Sequence, residues 1–139
     1  MKVLIDTNVV LDILLNNAAF YANSMAVFVH AEQNRLEGYI SAAAITDIYY
    51  ITKKRLGKTV AREAIKKILK VFQPAAVTGD DILRALDLEW SDFEDSVQFA
   101  VGTSLSVDYI ITRNTKDFSF GSIPTLTPEQ FIETVADPV

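Results

Sequence analysis

Short apolar runs alternate along this chain with longer stretches in which apolar residues recur at helical spacing. Residues 2 to 5 (KVLI) form a run without polar alternation, ended by Asp6. Such a run predicts a strand covered on both faces, as in a parallel sheet. Helical spacing follows in VVLDILL and again in FYANSMAVFVHAEQNRLEG, where Gly38 is expected to close the helix. YIS reads as a second strand, AAAITDIYYITKKRL as a helix ended by Gly57, and TVAREAIKKILKVF as a helix stopped by Pro74. Tyr49 and Tyr50 fall at core spacing in the first of these helices and are expected inside, with an interface role as the rival reading.

The second half continues the alternation. AAV predicts a third strand, and TGDD supplies a threonine cap and first-turn acids to the helix ILRALDLE. SDFEDSVQFAVGTSLS opens a helix in the same way. DYIITRN is a fourth strand running into a polar turn, and IPTL a fifth whose proline favours a sheet edge. TPEQFIETV closes the chain with Thr127 as cap, Pro128 in the first turn and Gln130 completing a capping box. Strands alternating with helices predict an α/β sandwich with a mainly parallel sheet. No linker, repeat or low-complexity segment interrupts it, so residues 1–139 read as one domain.

Composition narrows the chemistry. The chain of 139 residues is 50% hydrophobic, enough to bury a sizeable core. Cysteine is absent, which excludes a disulfide framework, a thiolate zinc site and a cysteine nucleophile. A single histidine, His30, cannot form a histidine metal site or a Ser-His-Asp triad. Carboxylates, hydroxyls and amides must therefore do any chemistry. Neither a signal peptide nor a membrane span is legible, so the expected location is cytoplasmic, without membrane contact.

The net charge of −5 argues against coating nucleic acid by bulk attraction. It conceals an asymmetry: between positions 53 and 70 eight basic residues face one acid, Glu63. Lys53, Lys54, Arg55 and Lys58 open this stretch. A solvated helix face explains it as well as a phosphate-binding wall does.

The acids fall where a parallel sheet gathers its ligands, beyond the carboxyl ends of the strands. Asp6 follows the first strand, Asn114 and Asp117 follow DYIIT, and Asp92, Glu94 and Asp95 open a helix. Each alone is explained as a cap or turn former. Asp47 is harder to explain, because it interrupts the apolar helix AAAITDIYYI and is expected to be at risk of burial there. Buried carboxylates need a cation, a donor or water beside them. The set suggests a hard divalent cation, Mg²⁺ or Mn²⁺, as one ion or two.

In order and spacing, MKVLIDTNVVLDILL, ISAAAITDIYYI, DFEDSVQFAVG and DYIITRNTKDF resemble the PIN domain, in particular the VapC-type toxins, over nearly the whole chain. The resemblance implies a three-layer α/β/α sandwich and metal-dependent endoribonuclease activity. It matches Asp6, Asp47, Asp95 and Asp117 to four acidic positions holding the metal, with Thr7, Asn8, Asp92, Glu94, Thr112 and Asn114 in support. Phosphate contacts are expected from Arg113, Lys116 and the basic stretch. A homodimer and an antitoxin protein are the implied partners, with RNA as substrate.

One departure stands out: the central acid of such domains is commonly glutamate, and Asp47 is shorter by a methylene. A catalytically weak or inactive PIN-fold module that binds nucleic acid or protein is the alternative it raises. A phosphotransfer enzyme of the haloacid dehalogenase type would need an aspartate where Asn8 stands. A receiver domain would need its acceptor at a central strand end, whereas Asp47 reads as helical.

Overall fold

The computed structural model describes residues 1–118 and 121–135. Among these residues, five strands form one parallel sheet: β1 (Lys2–Ile5), β2 (Glu37–Ser41), β3 (Gln73–Ala75), β4 (Tyr109–Ile111) and β5 (Thr125–Leu126), in the order β3-β2-β1-β4-β5. Seven helices connect and cover them: α1 (Thr7–Leu14), α2 (Tyr21–Glu32), α3 (Ala42–Leu56), α4 (Lys58–Ile68), α5 (Gly79–Leu88), α6 (Phe93–Leu105) and α7 (Pro128–Val135).

The unbroken apolarity of β1 has its cause in two cores. Val3 and Ile5 point into one, with Val9, Val27, Ile48, Phe72 and Phe131, while Leu4 points into the other, with Ala85, Val97, Phe99 and Ile110. The sheet is thus sandwiched between helical layers, α5 and α6 supplying the second core. Each fully buried phenylalanine, Phe72 and Phe131 among them, contributes about 1.5–3 kcal/mol relative to exposure.

Three sequence expectations about the fold are corrected. Gly38 does not close the second helix; α2 ends at Glu32 and Gly38 sits inside β2. A Cβ there would lie 2.5 Å from the Phe72 ring, so glycine serves close packing between strand and aromatic rather than a helix end. The third strand is Gln73–Ala75 rather than AAV, and it includes Pro74, which an edge strand tolerates.

Tyr50 is also not core. It is 66% exposed, edge-on to the half-buried Tyr49 with ring centroids 5.7 Å apart. The expected caps form as read: Thr78 and Asp81 make a reciprocal capping box on α5, and Thr127 and Gln130 exchange the corresponding bonds on α7.

Asp81 exceeds its capping role. It is buried and accepts a 2.6 Å bond from Ser104 Oγ, tying α5 to α6. Burial works to raise its pKa, but the bonds from Ser104 and Thr78 outweigh burial and hold it below the usual carboxylate value.

Candidate active site

Strand order reverses direction at β1, which has β2 on one side and β4 on the other. Chain connections diverge at such a point and leave a crevice beyond the strand ends. Asp6 stands there as the residue after β1 and the N-cap of α1, and Thr112 as the residue after β4. The Asp6 backbone N–H donates to the Ile111 carbonyl at 2.9 Å, continuing the ladder and locking the two strand ends together.

Four donors hold the buried Asp6 carboxylate. Oδ1 accepts from the Thr7 N–H at 2.7 Å and from Gln98 Nε2 at 2.7 Å. Oδ2 accepts from Thr112 Oγ1 at 2.6 Å and from Asn8 Nδ2 at 3.2 Å. Asn8 Nδ2 also reaches Thr112 Oγ1 at 3.3 Å, and its Oδ1 accepts from the Arg113 N–H at 3.2 Å. The Asn114 N–H donates to Thr112 Oγ1 at 3.1 Å. The residues of DTN and TRN thereby form one network across the crevice.

The N-terminus of α6 supplies the next acids. Asp92 caps the helix, accepting from the Asp95 N–H at 3.1 Å; Glu94 is exposed, whereas Asp95 is only 9% exposed. Burial, and then the charges of Asp92, Asp6, Asp117 and Glu94, push the Asp95 carboxyl up to about 7. Glu94 is raised too, first by burial, then by the charge of Asp47 and a hydrogen bond shared with it, then by Asp6 and Asp92. These influences record proximity: all six predicted acids act on a common region.

Asp117 reaches the region through aromatic packing. Trp90 lies 5.0 Å from Phe99 and 6.1 Å from Phe118, ring centre to ring centre, so Phe118 anchors the short 3-10 turn Thr115–Phe118 against the start of α6. Asp92, Asp95, Lys116, Asp117 and Trp90 consequently line one cleft of about 750 Å³.

The expectation for Asp47 changes. It is exposed, so no burial penalty demands a cation there, and its contact with Glu94 is what joins it to the cluster. Among the described residues, no three acidic or histidine side chains are disposed to hold one metal ion by themselves.

The basic residues divide. Lys116 lines the acidic cleft, whereas Lys53, Lys54 and Lys58 are exposed where α3 meets α4 and do not line it. Arg55 and Arg113 share a recess beside Asp12. Arg113 lies 4.3 Å from the Phe20 ring centre, and its Nε is 2.9 Å from Asp12 Oδ2, a charge contact whose angle is too poor for a hydrogen bond.

Sequence reasoning missed two buried side chains here. Asp12 also accepts from Asn17 Nδ2 at 3.2 Å and Ser24 Oγ at 3.3 Å. An aspartate inside VVLDILL was a legible signal, of the same kind as Asp47. Gln98 gave a weaker one, as a polar residue within the apolar face of α6.

Comparison with known proteins identifies the fold and the family. A family model described as PIN domain matches residues 2–116. Ribonuclease VapC1 of Aquifex aeolicus (strain VF5) is 26% identical over 137 residues, covering 95% of this chain and 94% of that protein. A toxin-antitoxin complex from Klebsiella pneumoniae superposes with a TM-score of 0.68 at 23% identity, over 91% of this chain and 97% of that one. VapC20 of Mycobacterium tuberculosis, a Sarcin-Ricin loop cleaving toxin, gives a TM-score of 0.70 at 15% identity, over 86% and 95%. With that match running through both strand ends that carry Asp6 and Thr112, the chain belongs to the PIN domain family.

Proposed function

We propose that this protein is a metal-dependent endoribonuclease of the VapC type, acting as the toxin of a toxin-antitoxin pair. The observation that carries the reading is the gathering of Asp6, Asp95 and Asp117 from β1, α6 and the turn after β4 around mutually repelling charge. Such repulsion destabilises a fold unless a cation relieves it. The ribonuclease activity of the Aquifex relative and the toxin-antitoxin assembly from Klebsiella support the substrate class and the antitoxin partner.

The donor set fits Mg²⁺ or Mn²⁺. It is all oxygen, and two of the residues that bond Asp6, Thr7 and Gln98, each carry a buried oxygen without a partner, Oγ1 and Oε1. Since fewer than three carboxylates converge on a point, the ion keeps several waters, as Mg²⁺ prefers. Two of Asp6, Asp95 and Asp117 would hold it directly, with the third, Asp47 and Glu94 acting through water. When bound, the ion polarises the phosphodiester and activates an attacking water.

The protein's own groups prepare this step. Asp6 is fixed by short bonds from Gln98, Thr7 and Thr112, whereas Asn8 Nδ2, divided between two acceptors, is the donor that yields. Lys116 stands in the cleft as a contact for backbone phosphate, a positioning rather than base-reading role. The exposed Lys53, Lys54 and Lys58 extend that attraction outside the cleft, and the active protein is a homodimer.

Incubation of labelled single-stranded RNA with Mn²⁺ tests the proposal, with Asp95→Asn as the control. Cleavage by the parent that falls at least about 100-fold in the variant is expected. Equal cleavage by both refutes it.

A further inference from the structure

We infer that Gln98 is a positioning residue of this site: its amide fixes one oxygen of Asp6 and presents its other end to a water held by the cation. The inference rests on the metal reading above.

Gln98 lies on α6 one turn beyond Asp95, so both side chains leave the same helix face. It is 1% exposed in an otherwise apolar stretch that includes Val97, Phe99 and Ala100. Nε2 donates to Asp6 Oδ1 at 2.7 Å, joining residues 92 positions apart. The reverse orientation would set an amide oxygen against a carboxylate oxygen, so the donor end is the one facing Asp6.

The other end of the amide is what structural packing leaves unexplained. Oε1 is buried and has no hydrogen-bond partner. The two ends of a primary amide lie about 2.3 Å apart, which confines Oε1 to within about 5 Å of Asp6 Oδ1. A buried acceptor without a donor is destabilising, and an apolar side chain of similar length would fill the volume without that cost. A water in the coordination shell of an ion beside Asp6 supplies the missing donor. It also accounts for a residue that touches both the ligand and its surroundings, as the partners of metal ligands commonly do.

Calorimetric titration of the full chain with Mn²⁺ alone separates this role from a packing role. The variants are Gln98→Met, close to glutamine in length but unable to hydrogen-bond, and Gln98→Leu as a second apolar replacement. The expected result is a metal-free melting temperature within a few degrees of the parent, because removal of the orphaned oxygen offsets the lost bond to Asp6, with Mn²⁺ affinity weakened about 10-fold or more. Parent-like Mn²⁺ affinity in a folded variant overturns the role of Gln98, and so does failure of both variants to fold at saturating Mn²⁺. If the parent itself takes up no Mn²⁺, the underlying metal reading falls and this inference with it. That failure is distinguished from the former ones by the parent titration alone.

Discussion

Asp12 and Arg113 form a charge pair, with Oδ2 and Nε 2.9 Å apart, that ties α1 to the turn following β4. Asp12 is 2% exposed, and Arg113 lies over the Phe20 ring. The sequence suggested Arg113 as a phosphate contact; the pairing gives it a structural task as well. The backbone of the same residue donates to Asn8, so the pair steadies the network that surrounds Asp6.

Arg113→Leu is therefore expected to destabilise the fold by about 3 kcal/mol, because it leaves the Asp12 carboxylate buried with only neutral donors. Asp12→Asn should cost less. In urea unfolding the double variant should be markedly more stable than the sum of the single effects implies. Additive losses would show that the pair contributes no coupling.

Stability of the metal-free protein should depend on pH in a sense set by Asp95 and Glu94. Both carboxyls are raised, so the folded state binds protons that the unfolded chain has already released. Folding is therefore penalised above about pH 7 and relieved as pH falls toward about 5. Asp81, held low, works oppositely, and its contribution is lost on further acidification. Thermal melts in chelator should show the highest melting temperature near pH 5, and Asp95→Asn should flatten the rise between pH 8 and 5. A melting temperature that climbs steadily from pH 5 to 8 would contradict this.

Gly38→Ala tests the close approach of β2 to Phe72. The added methyl meets a fully buried ring at 2.5 Å, so a loss of about 1–3 kcal/mol is expected from overpacking. Parent-like urea stability would mean that the ring moves freely, against the tight core described above.

Substituting Lys53, Lys54 and Lys58 together by alanine should leave the melting temperature within a few degrees, since all three are exposed. If they contact phosphates, the slope of log affinity for single-stranded RNA against log salt should fall by about 2. An unchanged slope would reduce the basic stretch to a solvated helix face.

Much of the fold was legible because its cause is local. KVLI is apolar on both faces since two cores cover β1, and the threonines opening α5 and α7 cap as their spacing indicates. Gly38 misled because a glycine that ends a helix and one that admits a neighbouring ring look alike until Phe72, 34 positions on, is in place.

The candidate site divides along the same line. Asp6, Asp92, Asp95 and Asp117 stand out because a strand end, a helix start or a turn fixes each. Asp47 was singled out for burial that it does not have, since the pattern around it could not tell which helix face Asp47 occupies. Asp12 and Gln98 went unnoticed because their partners lie across the fold, at Arg113 and Asp6.

The central claim is that these carboxylates tolerate one another because a divalent cation lies between them. Thermal unfolding with and without Mn²⁺, in the parent and in Asp6→Asn, tests it most directly. The account predicts that saturating Mn²⁺ raises the parent melting temperature by about 5–10 °C and leaves Asp6→Asn nearly unmoved. No rise in the parent, or the same rise in both proteins, would contradict it.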